Sequence, residues 1–187
     1  MNAKEIIQLL ETPTPDRRPT VRQITEEAAI PELIKALQEA TTPLTREILC
    51  DILGTRADKR ATSVLIDALH DPTPAVRGSA ADALAKVEDP QAGPALMEQY
   101  SREEGDDGIR QLIAIALGAV NYQPAVPYLI QALSSSSEIL RLCAAWALKD
   151  LRAQEAKQPL EQALEHETDS YTVDEMKKAL MVISSSH

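Results

Sequence analysis

The chain has no phenylalanine, one tryptophan and four tyrosines among 187 residues. A core without large rings must be filled by Leu, Ile, Val and Ala, which suits helices packed close together. Glycine is scarce as well, at six residues, and no Gly-rich phosphate-cradling loop is present. Two cysteines, Cys50 and Cys143, are too few for a disulfide framework. They stand about three repeats apart in the register described below, and are expected to be buried free thiols. No apolar run approaches the roughly 18 residues that a membrane-spanning helix needs. Basic residues do not cluster: the densest stretch is Asp58-Lys59-Arg60 beside Arg56. Nucleic acid and anionic membrane, which are held by Lys and Arg clusters, are therefore not expected as partners.

What the chain does have is acid and aliphatic carbon. The formal net charge is −10, with 44% hydrophobic and 26% charged residues. That composition is globular, and an acidic surface favours a protein partner with a basic patch. The opening Met1-Asn2-Ala3-Lys4-Glu5-Ile6-Ile7 is a short amphipathic pattern that soon meets Glu11, unlike a secretory leader. A cytoplasmic protein is expected.

A short phrase then recurs: AAIPELIKAL at 28–37, RATSVLIDAL at 60–69, QAGPALMEQY at 91–100, PAVPYLIQAL at 124–133 and EAKQPLEQAL at 155–164. Its central leucines, Leu33, Leu65, Leu96, Leu129 and Leu160, are 32, 31, 33 and 31 residues apart. A second phrase lies upstream: LTREILCDILG at 44–54, AVRGSAADALA at 75–85, GIRQLIAIALG at 108–118 and ILRLCAAWALK at 139–149. Its arginines, Arg46, Arg77, Arg110 and Arg141, each precede the downstream leucine by 19 residues. A period of this length marks a stacked repeat architecture.

Both phrases read as helices. Val76, Ala80, Ala83, Leu84 and Val87 recur at three and four, an apolar face of period 3.6. Pro31, Pro74, Pro94 and Pro127 suit first turns, where the missing N–H is not needed. Gly54 and Gly118 are expected to end first helices in the left-handed conformation. Alanine is dense on the first helices, which lets neighbours approach closely. The arginine obeys the scaffold period, so it is assigned to structure, reaching an acid or carbonyl of the preceding turn, such as Asp71 near Arg77.

The Asp71, Val76-Arg77, small-residue helix and Ala125-Val126-Pro127-Tyr128-Leu129-Ile130-Gln131-Ala132-Leu133 pattern resembles the HEAT-like repeats named after the phycobilisome lyases, over about 28–165. The expected fold is all-α, a right-handed α–α superhelix (a HEAT-like repeat solenoid) of about five helix pairs plus a closing helix. It would form one domain over 1–187, with 1–27 as an irregular cap and 169–183 as the closing helix. The resemblance also implies that a subunit of a heteromeric bilin lyase, or a tetrapyrrole-binding chaperone for phycobiliproteins, is an alternative function.

Departures from the period are the places where specific binding is expected. Thr12-Pro13-Thr14-Pro15-Asp16-Arg17-Arg18-Pro19 cannot be a helix interior, so a helix at 2–11 and a longer helical segment at 20–39 are expected around it. An acidic loop at 101–108 makes one interval longer by two. Val173, Met176, Leu180 and Ile183 form the apolar stripe of the closing helix. Five residues after each arginine stand Asp51, Asp82, Ile115 and Trp146. The last two form an exposed apolar contact patch unless the terminal helix covers them.

The outward row of the second helices reads Glu32 and Lys35, Val64 and Asp67, Ala95 and Glu98, Tyr128 and Gln131, Pro159 and Gln162. Lys35, Asp67, Glu98, Tyr128 and Gln131, with Ile115 and Trp146, are the candidate protein-binding residues. Tyr128 is the expected anchor. His70, His166 and His187 are too dispersed for a metal or a catalytic site, and no cofactor is implied. The residues themselves favour a non-enzymatic binding scaffold or adaptor for another protein, assisting assembly or turnover of a larger complex.

Overall fold

A computed structural model describes residues 1–103, 105 and 107–185, and over these residues the chain is all helical with no strand. It forms two compact units, Met1–Ala92 and Gly93–His187. The first contains α1 (Ala3–Glu11), α2 (Arg18–Glu27), α3 (Ile30–Glu39), α4 (Pro43–Arg56), α5 (Thr62–Ala68) and α6 (Pro74–Val87). The second contains α7 (Gly93–Arg102), α8 (Asp107–Ala119), α9 (Val126–Ala132), α10 (Glu138–Asp150), α11 (Lys157–His166) and α12 (Ser170–Ser184). The fold class is that of a HEAT/armadillo-type repeat, in which consecutive helices form stacked pairs.

Local chemistry sets the boundaries. Asn2 caps α1 in a reciprocal capping box with Glu5. Thr42 caps α4 with Pro43 in its first turn. The segment expected as one helix over 20–39 is two: Ala28 and Ala29 are extended, and α3 begins at Ile30 with Pro31 in its first turn. A helix continuing through Pro31 would lose a backbone bond and clash with the carbonyl four residues earlier.

Gly54 and Gly118 do not end helices in the left-handed conformation. That role falls to Ala57, Glu88, Asn121 and Arg152, with φ of 48°, 52°, 55° and 50°. Only Asn121 is suited to it; the other three bear the steric penalty of a Cβ there. Each directs the chain into a 3₁₀ turn (Lys59–Ala61, Pro90–Ala92, Gln123–Ala125, Gln154–Ala156) that leads to the next second helix.

The glycines serve helix contact instead. A Cβ on Gly54 would lie 2.7 Å from Ala83 Cα, and one on Gly118 would lie 2.8 Å from Ala147 Cα. So α4 meets α6 in the first unit, and α8 meets α10 in the second, backbone against backbone. Ala80, Ala81 and Ala83, and likewise Ala114, Ala116, Ala144, Ala145 and Ala147, are at most 1% exposed. In the second unit α12 packs on the far side of α10 through buried Met176, Ala179 and Ile183. Val173 and Leu180, the remaining members of its expected stripe, are half-buried.

Ala is favoured over Gly in a helix interior by about 1 kcal/mol. Gly118→Ala should nonetheless destabilise, because the methyl meets backbone that cannot swing aside. An overpacking penalty at the upper end, about 2–3 kcal/mol because the contact is backbone, less about 1 kcal/mol of propensity, predicts a Tm fall of roughly 2–8 °C. Thermal unfolding followed by circular dichroism measures it, and an unchanged or raised Tm contradicts the close approach.

Candidate functional site

The second helices α5, α7, α9 and α11 are short, and each buries one side through its phrase leucine: Leu65, Leu96, Leu129 and Leu160 are 0% exposed. Much of their outward row, which α3 continues, is free of packing duty. Lys35, Asp67, Glu98, Tyr128 and Gln131 are all exposed, although Glu98 is engaged by Arg102 one turn on. Ala95 and Pro159 of the expected row are half-buried, and two further members are engaged. Val64 is 5% exposed, although Tyr128 at the equivalent position is exposed. Glu32 is half-buried and accepts a hydrogen bond from the Ala3 N–H at 2.9 Å, holding α1 against α3.

In the second unit this row borders a groove of about 920 Å³. Gln131 of α9 and Pro159 and Gln162 of α11 line it, with Ile130, Leu133 and Ala163 as apolar wall. Tyr128, one turn before Gln131 on α9, is 47% exposed. The far end carries Glu165 and His166, both exposed.

At the base, Arg141 is fully committed. Its Nε and Nη2 donate to the two carboxylate oxygens of Glu167 at 2.7 and 2.9 Å. Its Nη1 donates to the Ser135 and Ser136 carbonyls at 2.9 and 3.3 Å. Glu167 also accepts from the Thr168 and Asp169 N–H groups, and its side chain is 1% exposed. The Arg141 hydrogen bonds hold its carboxyl down to about 2, against the desolvation that would raise it. The pairing is legible in the register: Glu167 follows Arg141 by 26 residues, as Asp71 follows Arg46 by 25.

The same clasp occurs in the first unit. Arg46 donates to both oxygens of Asp71 at 2.6 and 3.3 Å, and to the Thr41 carbonyl at 3.1 Å. Burial works to raise the Asp71 pKa, but hydrogen bonds from Arg46 and Thr73 bring it below the ordinary value. The expected Asp71–Arg77 contact is made, though through the Asp71 backbone carbonyl at 3.1 Å; the carboxylate belongs to Arg46.

Ile115 and Trp146 are half-buried on α8 and α10. Trp146 is shielded by α12: its Nε1 donates to Glu175 at 2.7 Å, and its ring meets Tyr171 edge-on with centroids 6.4 Å apart. Lys178 and Trp146 together hold the Glu175 carboxylate below its ordinary pKa. Residues Glu104 and Asp106 of the acidic loop, and His187, lie outside the described residues. Among the described residues no group of three His, Cys, Asp or Glu side chains is placed to hold a metal ion. No described helix is long and apolar enough to cross a membrane. Cys50 and Cys143 are buried free thiols, and desolvation pushes them up to about 12 and 11, so neither is a ready nucleophile near neutral pH.

Residues 30–107 and 98–181 match the sequence family described as HEAT repeats. The chain belongs to the HEAT-repeat family. No curated protein matches this HEAT-repeat chain. Among solved structures, it is similar to a chain of the complex of CpcE and CpcF of phycocyanin lyase from Nostoc sp. PCC7120, with 19% identity, 98% and 95% of the two chains covered and a TM-score of 0.61. It is similar to YibA of Escherichia coli at 19% identity, covering 96% and 70%, with a TM-score of 0.71. It is also similar to a designed armadillo repeat protein in complex with the peptide (KR)4, at 17% identity, 98% and 100% coverage and a TM-score of 0.66. At these identities the likeness establishes the shared repeat fold, a fold type suited to protein–protein binding.

The Arg141–Glu167 clasp has a pH signature. A carboxyl held near 2 when folded, against 4.5 ordinarily, adds stability that is complete above about pH 5 and is lost as pH falls toward 2. Glu167→Gln should cost about 3 kcal/mol at pH 7, by urea unfolding. The gap between variant and wild type should narrow steadily below about pH 4.5. A gap that stays constant down to pH 3 would remove the ion pair as its cause.

Proposed function

We propose that this HEAT-repeat protein is a non-catalytic scaffold whose second unit holds a basic, extended segment of another protein along the α9–α11 groove. The observation that carries this reading is an exposed Tyr128 beside a groove whose lining arginine is already neutralised by Glu167. With that pair cancelled, the remaining formal charge in the lining is Glu165. A cationic side chain is therefore favoured over an anionic one. The Tyr128 ring can stack a guanidinium or ammonium group. Gln131 and Gln162 present amides that both donate and accept, which suits the backbone of an extended chain. The net charge of −10 would speed encounter with a basic partner. The designed armadillo protein bound to (KR)4 supplies a precedent at the level of fold.

A second reading is a subunit of a heteromeric bilin lyase or a tetrapyrrole-binding chaperone for phycobiliproteins. It is supported by the likeness to the CpcE and CpcF complex, which spans nearly the whole of both chains. Tetrapyrrole propionates call for a free arginine, and Arg141 is not one.

Fluorescence anisotropy with a labelled (KR)4 peptide separates the two. Binding should weaken steeply with added salt. Tyr128→Ala should lower affinity about tenfold, as loss of an aromatic anchor does, with Tm unchanged because the side chain is half exposed. Equal affinity of the variant and wild type would reject the groove. A changed absorption spectrum on mixing with a linear tetrapyrrole, with no peptide binding, would establish the second reading in its place.

A further inference from the structure

Arg46, Arg110 and Arg141 hold one register position but do not share one environment. In Arg46 and Arg141 the Nε–Nη2 edge closes on a carboxylate, Asp71 or Glu167. That same carboxylate accepts the backbone N–H two residues further on, from Thr73 or Asp169. Ser135 stands 25 residues after Arg110, in the place of Asp71. Its hydroxyl accepts the equivalent N–H, from Ser137, at 3.0 Å. Ser135 thus keeps the turn-forming half of the role. A neutral hydroxyl does not supply the other half, and Arg110 Nε is buried with no hydrogen-bond acceptor among the described residues.

Among the described residues no carboxylate closes on that edge. Asp107 approaches the opposite nitrogen, Nη1, at 3.7 Å, and its carboxylate receives the Ser135 hydroxyl at 3.4 Å. Tyr100 lies beneath the guanidinium, 4.5 Å from ring centroid to Cζ. Stacking of this kind uses the flat face of the guanidinium and leaves its edge unengaged. Tyr100 replaces the leucine that ends the phrase at Leu37, Leu69, Leu133 and Leu164. It is 2% exposed; burial raises the pKa of its phenol, and the neighbouring Arg110 works against that rise. So the repeat that lacks the carboxylate is also the one with an aromatic platform under the arginine. A quarter of the Arg110 side chain is exposed.

We infer that Arg110, supported by Tyr100, binds a carboxylate of an external molecule through the exposed quarter of its side chain, its Nε–Nη2 edge turning out to the ligand in the role that Asp71 and Glu167 fill from within the chain. The edge offers two parallel N–H donors, the geometry that matches a carboxylate bidentately. The donor of that carboxylate is either a small molecule bearing a propionate-like acid or an acidic side chain of a protein. The inference does not depend on the basic-segment reading of the groove, since the two are tested with different probes.

The full chain is titrated with acetate while the arginine Nε–H signals are followed by NMR. The Arg110 signal should move saturably, with Arg46 and Arg141 unmoved. Ser135→Asp supplies the internal carboxylate of the other repeats; it should abolish the acetate response and raise Tm by about 2–4 °C. Arg110→Lys keeps the charge but not the paired edge, and should weaken acetate at least tenfold, by about the 1.4 kcal/mol of that ratio. An unmoved Arg110, a common shift of all three arginines, or equal acetate binding by Arg110→Lys overturns the inference. Acetate binding that appears only in Asp107→Asn overturns it too, since Asp107 would then be the occupant. Two further arms identify the source: a linear tetrapyrrole against its dimethyl ester, and a Glu-containing peptide against its Gln counterpart. An acid that moves Arg110 while its neutral counterpart does not is the source; two acids no better than their counterparts defeat the carboxylate reading.

Discussion

Each unit rests on the approach of two first helices to within backbone contact. Gly54 faces Ala83 in one unit and Gly118 faces Ala147 in the other, at distances that leave no room for a methyl group. Dispersion grows with the number of atoms brought to optimal separation, so seams of glycine and alanine hold firmly without large side chains. The scarcity of aromatics follows from this: a phenylalanine in either seam would prise the backbones apart. The helices that must meet carry the small residues, while the second helices bury one side around the phrase leucines. Their other side is released from packing, which is why Tyr128, Gln131 and Gln162 are available for contact.

The turns are secured by a different device. Three non-glycine, non-asparagine residues, Ala57, Glu88 and Arg152, occupy the left-handed region at the helix ends. Each position is offset by bonds it makes possible. The Ala57 N–H reaches the Leu53 and Gly54 carbonyls, and Asp58 then caps the 3₁₀ turn through the Arg60 N–H. The buried Thr62 hydroxyl donates to Asp89 at 2.8 Å, joining the start of α5 to the turn after α6. Arginine clasps complete the set by fastening the turn before a first helix to a carboxylate some 25 residues on. Polar groups in these turns are satisfied in a repeating pattern, and this makes any unsatisfied one informative.

The helix pairs were legible because two independent signals, the phrase leucine and the upstream arginine, kept a constant 19-residue offset. Other features depended on contacts outside any local window. Gly54 and Gly118 stand near helix ends and read as caps; their true reason lies 29 residues downstream, at Ala83 and Ala147. Val64 reads as outward from its place in the row beside Tyr128, yet it is buried while Tyr128 is exposed, a difference that the shared register does not carry. Ala28 and Ala29 have high helix propensity, and only the ring of Pro31 interrupts them. Shielding of Trp146 by α12 required knowing that Glu175 would be buried as its acceptor, a position that spacing marks as polar.

A residue that follows a repeat period is structural when its acceptor follows the same period, and the second half of that condition is the one that discriminates. Arg46 and Arg141 meet it through Asp71 and Glu167. Arg110 keeps the period while Ser135 departs from it, and the departure is partial: the hydroxyl retains the bond to the Ser137 N–H and loses the negative charge. Loss of the turn would have damaged the fold, whereas loss of the charge leaves the fold intact and a half-buried guanidinium whose Nε has no acceptor among the described residues. Tyr100 accommodates the guanidinium but cannot neutralise it, since a ring face offers a quadrupole where a carboxylate offers a full charge. The groove below α9 and α11 shows the converse arrangement, an arginine cancelled within the chain and an uncommitted Glu165 beside it. Within one unit, equivalent positions therefore differ in the sign of charge they leave for a ligand, although their backbones are built to the same plan.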